Sequence, residues 1–147
     1  MGRNKLQRFK ENEENKNVVQ DGKDIFKNVK GNWNKLQFEN EKPLVVELAC
    51  GKGEFTVGLA REYPEQNFIG VDIKGSRIWK GSKLALAEGL ENVAFLRTQI
   101  QLLEDFFSPG EISELWITFP DPFPRDGDEK RRLTSPRYLD MYKPMIK

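Results

Sequence analysis

Hydrophobic residues in this chain gather in short runs separated by longer, mostly polar stretches. Val45–Leu48, Asn67–Asp72, Val93–Leu96 and Glu114–Phe119 are rich in Val, Ile, Leu and Phe and read as strands. The unbroken apolar character of Val45–Leu48 predicts burial on both faces, as in a parallel sheet. Between the runs the period turns helical. Glu54 to Tyr63 predicts a helix whose Phe55, Leu59 and Tyr63 face the sheet at i, i+4 and i+8, with Pro64 ending it. Ser76–Glu88 predicts a second helix, packing through Ile78, Ser82 and Ala85 and stopped at Gly89. Leu102–Phe107 predicts a short helix before Ser108-Pro109-Gly110. Ser135-Pro136 is an N-cap followed by Pro at the first helical position, opening a helix expected to turn Leu139, Tyr142 and Ile146 inward until Pro144 interrupts it. Strands alternating with helices at this spacing predict an α/β protein with a parallel sheet and right-handed crossovers.

The first 30 residues break this pattern. They are rich in Lys, Asn, Glu and Gln and have no sustained apolar period. Residues 1–30 therefore read as a basic, mobile N-terminal arm with a short helical piece near Asp24–Val29, and residues 31–147 as the domain. Trp33, in the turn Gly31-Asn32-Trp33-Asn34, is expected to fold back onto that domain.

Charge sharpens the division. The chain of 147 residues has a net charge of only +1, but residues 1–35 carry nine Lys/Arg against five Asp/Glu, residues 36–124 eight against fourteen, and residues 125–147 seven against four. An acidic middle between two basic ends suits a folded body that meets a polyanion. Histidine is absent and Cys50 is the only cysteine, which removes an internal disulfide and the usual zinc ligands. Chemistry must then come from carboxylates, amines, hydroxyls, backbone dipoles or a cofactor, and no metal is expected. The sequence has neither an apolar run of about 18 residues nor a signal-peptide core, so no membrane partner and a cytoplasmic location are expected.

Candidate chemistry sits where the predicted strands end. Leu44 to Leu48 runs into Ala49-Cys50-Gly51-Lys52-Gly53 and then into helix-like sequence, the arrangement that opens a ligand crevice at the carboxyl edge of an α/β sheet. Gly51 and Gly53 let the backbone approach a ligand and take positive φ. Glu47 is a carboxylate inside a buried strand and needs a partner there. Asp72 ends the second strand about 20 residues past the glycines, the spacing at which nucleotide folds set an acid against ribose hydroxyls. The fourth strand runs into Phe119-Pro120-Asp121-Pro122-Phe123-Pro124, whose three prolines forbid helix and hold Asp121 stiffly at the same rim. A polar loop from Arg125 then leads to Lys130-Arg131-Arg132.

From Gly31 to Lys147 these features resemble the bacterial tRNA (guanine-N7)-methyltransferases. The resemblance rests on Glu47-Leu48-Ala49-Cys50-Gly51-Lys52-Gly53 and Asn67-Phe68-Ile69-Gly70-Val71-Asp72, which many methyltransferases share. It rests more specifically on Phe119-Pro120-Asp121-Pro122-Phe123-Pro124 followed by Glu129-Lys130-Arg131-Arg132-Leu133. It implies a Rossmann-like class I methyltransferase fold with helices on both faces of the sheet. It also implies S-adenosyl-L-methionine as cofactor and tRNA as partner, the product being 7-methylguanosine in the variable loop. By the same resemblance Glu47 lies by the methionine end of the cofactor and Asp72 binds its ribose. Gly51, Gly53 and Asp121 contribute to the cofactor site as well. The family's acid near the adenine is replaced here by Gln99, or by Gln101 with a small shift. Asp121 matches the proposed catalytic residue, and Arg125, Lys130, Arg131 and Arg132 match the substrate-binding segment, with Phe123 a candidate to stack on the base.

Other readings stay open on the sequence. A nicotinamide-dependent dehydrogenase would want a third glycine where Thr56 stands. A methyltransferase acting on amino groups of adenine or cytosine would want a second proline where Phe123 stands. A non-catalytic RNA-binding fragment would use the basic ends alone. The resemblance also leads one to expect further strands after Lys147, so the second half of the sheet is expected to be missing from this chain, with the fourth strand left as an edge.

Overall fold

A computed structural model describes residues 3–117 and 133–147. Five parallel strands form one sheet in the order β1-β4-β3-β2-β5, where β1 is Val18–Val19, β2 Leu44–Leu48, β3 Asn67–Asp72, β4 Val93–Arg97 and β5 Glu114–Ile117. The helices are α1 (Arg3–Glu14), α2 (Asp24–Asn28), α3 (Glu54–Glu62), α4 (Gly75–Ala87) and α5 (Pro136–Tyr142). A π-helical turn at Trp33–Phe38 and 3-10 turns at Ile100–Asp105 and Lys143–Met145 complete the regular structure of the described residues.

Alternation along the strands divides the core into two layers. Val45, Phe68, Val93 and Phe95 meet Val57 and Ala60 of α3 and Ile78 and Ala85 of α4. Leu44, Val46, Leu48, Ile69, Val71 and Leu96 meet the opposite layer. That layer is built from Val29, Trp33, Phe38, Leu103, Phe106, Phe107, Tyr138 and Tyr142. β2 is buried along its whole length, as the apolar run Val45–Leu48 predicted, and β3 is buried likewise. β5 lies at the edge of the sheet and alternates between exposed and half-buried positions. Beside it, Ile112 pairs with Ile146 in an isolated parallel bridge.

Three expectations need correction. First, residues 3–29 are part of the domain. Val18 and Val19 pair with Phe95 and Leu96, and α1 lies along α4, with Asn12 Nδ2 donating to the Gly75 carbonyl (2.8 Å) and Asn15 Nδ2 to Ser82 Oγ (3.0 Å). Asn17, buried, donates to the Ser82 carbonyl (3.1 Å). These contacts run through asparagines, so an apolar-period search passes over them. Second, α3 packs through Thr56, Val57 and Ala60, while Tyr63 is 46% exposed. Val57 and Ala60 let the helix sit close to the sheet, and the larger Phe55 reaches sideways to Trp116, ring centroids 5.6 Å apart. Third, Tyr142 of α5 is buried and Ile146 packs against the core as expected, but Tyr138 turns inward, with Met145 following, in place of Leu139, which is 41% exposed. The tyrosines lie near-parallel at 6.2 Å, and Tyr142 keeps its hydroxyl satisfied by donating to the Leu133 carbonyl (3.1 Å). Trp33 does fold back onto the domain: it is fully buried and its Nε1 donates to the Phe106 carbonyl (2.7 Å).

Candidate functional site

β2 ends at Leu48 and the chain turns through three left-handed residues before the next helix. Ala49 has φ +55° and Gly51 φ +59°, and Gly53 at φ +75° is the N-cap of α3. The turn is tied to its neighbour strand where Cys50 N donates to the Val71 carbonyl (3.0 Å). The two glycines differ in their surroundings. A Cβ on Gly53 would stand 2.6 Å from Phe95 Cε1, whereas one on Gly51 would meet nothing within 4 Å. Gly53 therefore serves close packing, and the space beside Gly51 is open.

Asp72 ends β3 beside this turn and is 8% exposed. Its Oδ2 accepts from Gly51 N (2.9 Å) and its Oδ1 from Lys74 N (2.9 Å), so both oxygens are held by backbone amides. A carboxylate offers about four lone-pair positions. The remaining ones at Asp72 suit a ligand that donates from neighbouring hydroxyls.

Glu47 lies on the α3 side of β2, opposite Gly70 of β3 and Trp116 of β5. It is 3% exposed, and Thr56 Oγ1 donates to its Oε1 (2.5 Å). The partner that a buried carboxylate requires is therefore supplied by the first turn of α3. Thr56 is the partner of Glu47 that sequence reasoning missed. Its signal was a hydroxyl nine residues after a buried acid, just past a glycine turn, and the dehydrogenase comparison had treated it only as a missing glycine.

Cys50 reports on both acids. Burial pushes its thiol well above the ordinary range, and Asp72 and Glu47 push it the same way. The carboxylates thus act on one buried sulfur at the turn, and the two acids fall at one corner of the sheet.

Gln99 follows β4, is exposed and caps the turn Ile100–Asp105, while Gln101, also exposed, lies within that turn. Thr98 N donates to the Asp72 carbonyl (3.1 Å), which ties Gln99's segment to the same corner. Ile117 is in register with Leu48, so β5 reaches the carboxyl edge next to β2. Asp121, Phe123, Arg125, Lys130, Arg131 and Arg132 lie outside the described residues. Among the described residues no cluster of three metal-ligating side chains occurs, and no helix is long and apolar enough to cross a membrane. A groove of about 550 Å³ lined by Val18, Leu36, Leu86 and Leu90 lies at the amino end of the sheet, away from this corner. Lys23 lines it too, but its Nζ is taken up by the carbonyls of Asn15 and Val18.

A parallel sheet with helices on both faces, a glycine turn after β2 and an acid after β3 define a Rossmann-like methyltransferase fold. Solved structures share it. One antibiotic-resistance methyltransferase, Kmr, superposes with a TM-score of 0.59 at 21% identity, over 76% of this chain and 56% of its own. The 30S ribosomal A1408 methyltransferase from an uncultured bacterium gives 0.57 at 19% identity, over 75% of this chain and 52% of its own. The model of a family described as putative methyltransferase matches residues 41–147, and the chain belongs to that family. It is 54% identical to the tRNA (guanine-N(7)-)-methyltransferase of Christiangramia forsetii, over 99% of this chain and 66% of that protein. It is 49% identical to that of Cytophaga hutchinsonii, again over 99% and 66%. The chain thus spans about two thirds of the length of these relatives.

Proposed function

We propose that this chain contributes to methylation of a guanine N7 in the variable loop of tRNA, with S-adenosyl-L-methionine as donor. The observation that carries the reading is Asp72, a carboxylate held on both oxygens by backbone amides of the glycine turn and the following loop. The open space at Gly51 beside it fits an adenosine-bearing cofactor. When bound, S-adenosyl-L-methionine supplies a methyl group on a cationic sulfonium.

Asp72 accepts hydrogen bonds from ribose hydroxyls, and Gly51 and Gly53 shape the turn that receives the methionine part. Glu47, kept in place by Thr56, sets negative charge near the cationic end. Gln99, or Gln101, hydrogen-bonds the adenine edge. Guanine N7 carries an exposed lone pair, so no proton has to leave before attack, and the protein's task is mainly alignment. Asp121 accepts guanine N–H groups and holds the base in line, and together with Glu47 it stabilises positive charge as it moves onto the base. Arg125, Lys130, Arg131 and Arg132 hold the RNA backbone, which makes affinity fall with salt.

The test is transfer of labelled methyl from S-adenosyl-L-methionine to unmodified tRNA, followed by nuclease digestion. Label in 7-methylguanosine, with Asp72→Asn weakening cofactor binding and Asp121→Ala abolishing transfer, supports the reading. Label in any other nucleoside, or an Asp121→Ala variant as active as the parent, removes it.

A further inference from the structure

Two aromatic rings in the seam between α1 and α4 gather four cations. Arg8 and Lys83 stand 4.5 and 4.7 Å from the Trp79 ring centroid, and Lys5 and Arg97 stand 5.8 and 5.5 Å from that of Phe9. Trp79 is itself anchored, its Nε1 donating to Glu11 Oε2 (3.1 Å). The asparagine contacts set α1 alongside α4 in the same direction, so both helices begin at the carboxyl end of the sheet.

Charge along the two helices is segregated toward that end. Residues 3–10 contain four Lys/Arg and no acid, and residues 74–83 contain another four and no acid, whereas Glu11, Glu13 and Glu14 close α1 at the far end. A helix start ordinarily favours acidic residues, because the peptide dipoles leave it positive. Neither α1 nor α4 has one in its first turn. Among the described residues, Lys5, Arg8, Lys80 and Lys83 make no salt bridge. Like charges crowded at two helix starts repel, and a polyanion relieves that repulsion. Stacking on the rings fixes where the cations sit while leaving their N–H groups available.

The seam also adjoins the candidate site. Arg97 pairs in register with Asp72, and its Nε donates to the Ile73 carbonyl (3.1 Å). We propose that the α1–α4 seam is a phosphate-binding strip for RNA, with Lys5, Arg8, Lys80, Lys83 and Arg97 gripping backbone on the flank of the cofactor crevice. The inference rests on the tRNA reading above and adds RNA-contacting residues beyond Arg125, Lys130, Arg131 and Arg132. RNA is favoured over an anionic membrane because, of the two large hydrophobics of described α1, Leu6 and Phe9, only Leu6 is strongly exposed.

The experiment measures tRNA affinity of the chain against salt, for the parent and for Lys5→Ala/Arg8→Ala/Lys80→Ala/Lys83→Ala. A control with the same charge change, Lys27→Ala/Lys30→Ala/Lys35→Ala/Lys42→Ala, carries its changes elsewhere. The seam variant should bind tRNA about tenfold or more weaker, with a log–log salt slope shallower by about 2 to 3. Its affinity for S-adenosyl-L-methionine should equal the parent's. If the four-site variant loses thermal stability, Lys5→Ala/Lys80→Ala gives the same result at about half the slope change. The proposal is overturned if the seam variant binds tRNA as the parent does, or loses no more than the control. It is also overturned if the loss appears only with phosphatidylserine vesicles or an acidic peptide. Failure here leaves 7-methylguanosine formation by the parent intact, whereas failure of the underlying reading removes that product from the parent itself.

Discussion

The two faces of the sheet solve the same burial problem in opposite ways. On the α3–α4 face, helices approach closely because mass is missing. Phe95 fills the space left by Gly53, Gly70 and Gly81, and a Cβ on any of them would come within 3.0 Å of that ring. On the other face, volume is supplied by rings, with Trp33 near-parallel to Phe107 at 5.4 Å and Phe26 tilted against Phe106 at 4.8 Å. The ring-filled face is held by short, irregular elements, the π-helical and 3-10 turns among them. The glycine-lined face carries the regular helices α3 and α4, and both acids at the candidate site abut it. The difference teaches that the corner where Gly51 leaves backbone uncovered lies on the side where packing is defined by backbone, while the opposite side supplies bulk.

That contrast can be attacked from each side. The largest effect is expected on the ring-filled face: Trp33→Ala should cost about 3–5 kcal/mol in urea unfolding, because it leaves a cavity and an unsatisfied Phe106 carbonyl. Gly53→Ala should follow at about 2–4 kcal/mol, combining left-handed backbone strain with a clash against Phe95. Cys50 gives a pH-dependent effect. Its folded pKa is raised by burial first and by Asp72 and Glu47 after that, so its contribution is complete below about pH 8.5 and is lost as pH rises toward the folded value. By pH 9.5 the parent should have lost stability on the order of 1 kcal/mol relative to Cys50→Ala, measured as the difference between their unfolding curves. The smallest stability change is expected for Gly51→Ala, about 1 kcal/mol from backbone strain alone, since its Cβ meets nothing. Its reduction in S-adenosyl-L-methionine affinity should nonetheless exceed that of a surface substitution such as Lys27→Ala. A Gly51→Ala protein that bound cofactor as tightly as the parent would place the ligand elsewhere.

Much of this was legible before any coordinates. The strands from Val45, Asn67, Val93 and Glu114 formed near where their apolar runs lie. β2, β3 and β4 are buried along nearly their whole length, which leaves a compact block of Val, Ile, Leu and Phe, whereas the edge strand β5 alternates between exposed and half-buried positions. The glycine turn and Asp72 met at one corner because β2 and β3 pair in register, which the spacing of strand, helix and strand already implied. The β1 strand was not legible. Two valines in a polar stretch carry no period, and their place in the sheet depends on Asn17 and on the exposed edge of β4. The inward face of α3, and Leu139 in α5, run against expectation for a related reason. Apolar periodicity ranks residues by hydrophobicity, whereas packing selects by shape, so Thr56, Val57 and Ala60 were buried in place of Phe55 and Tyr63.

The amino-acid order by itself determined that the chain would build a parallel α/β sheet with a glycine turn and acids at strand ends, since these follow from local pattern and from what glycine and proline allow. Only the tertiary structure decided that Thr56 holds Glu47, that Gly53 packs while Gly51 stays open, and that four cations meet over Phe9 and Trp79. Each of these depends on which side chains are brought together from distant parts of the chain, and no local pattern encodes that distance.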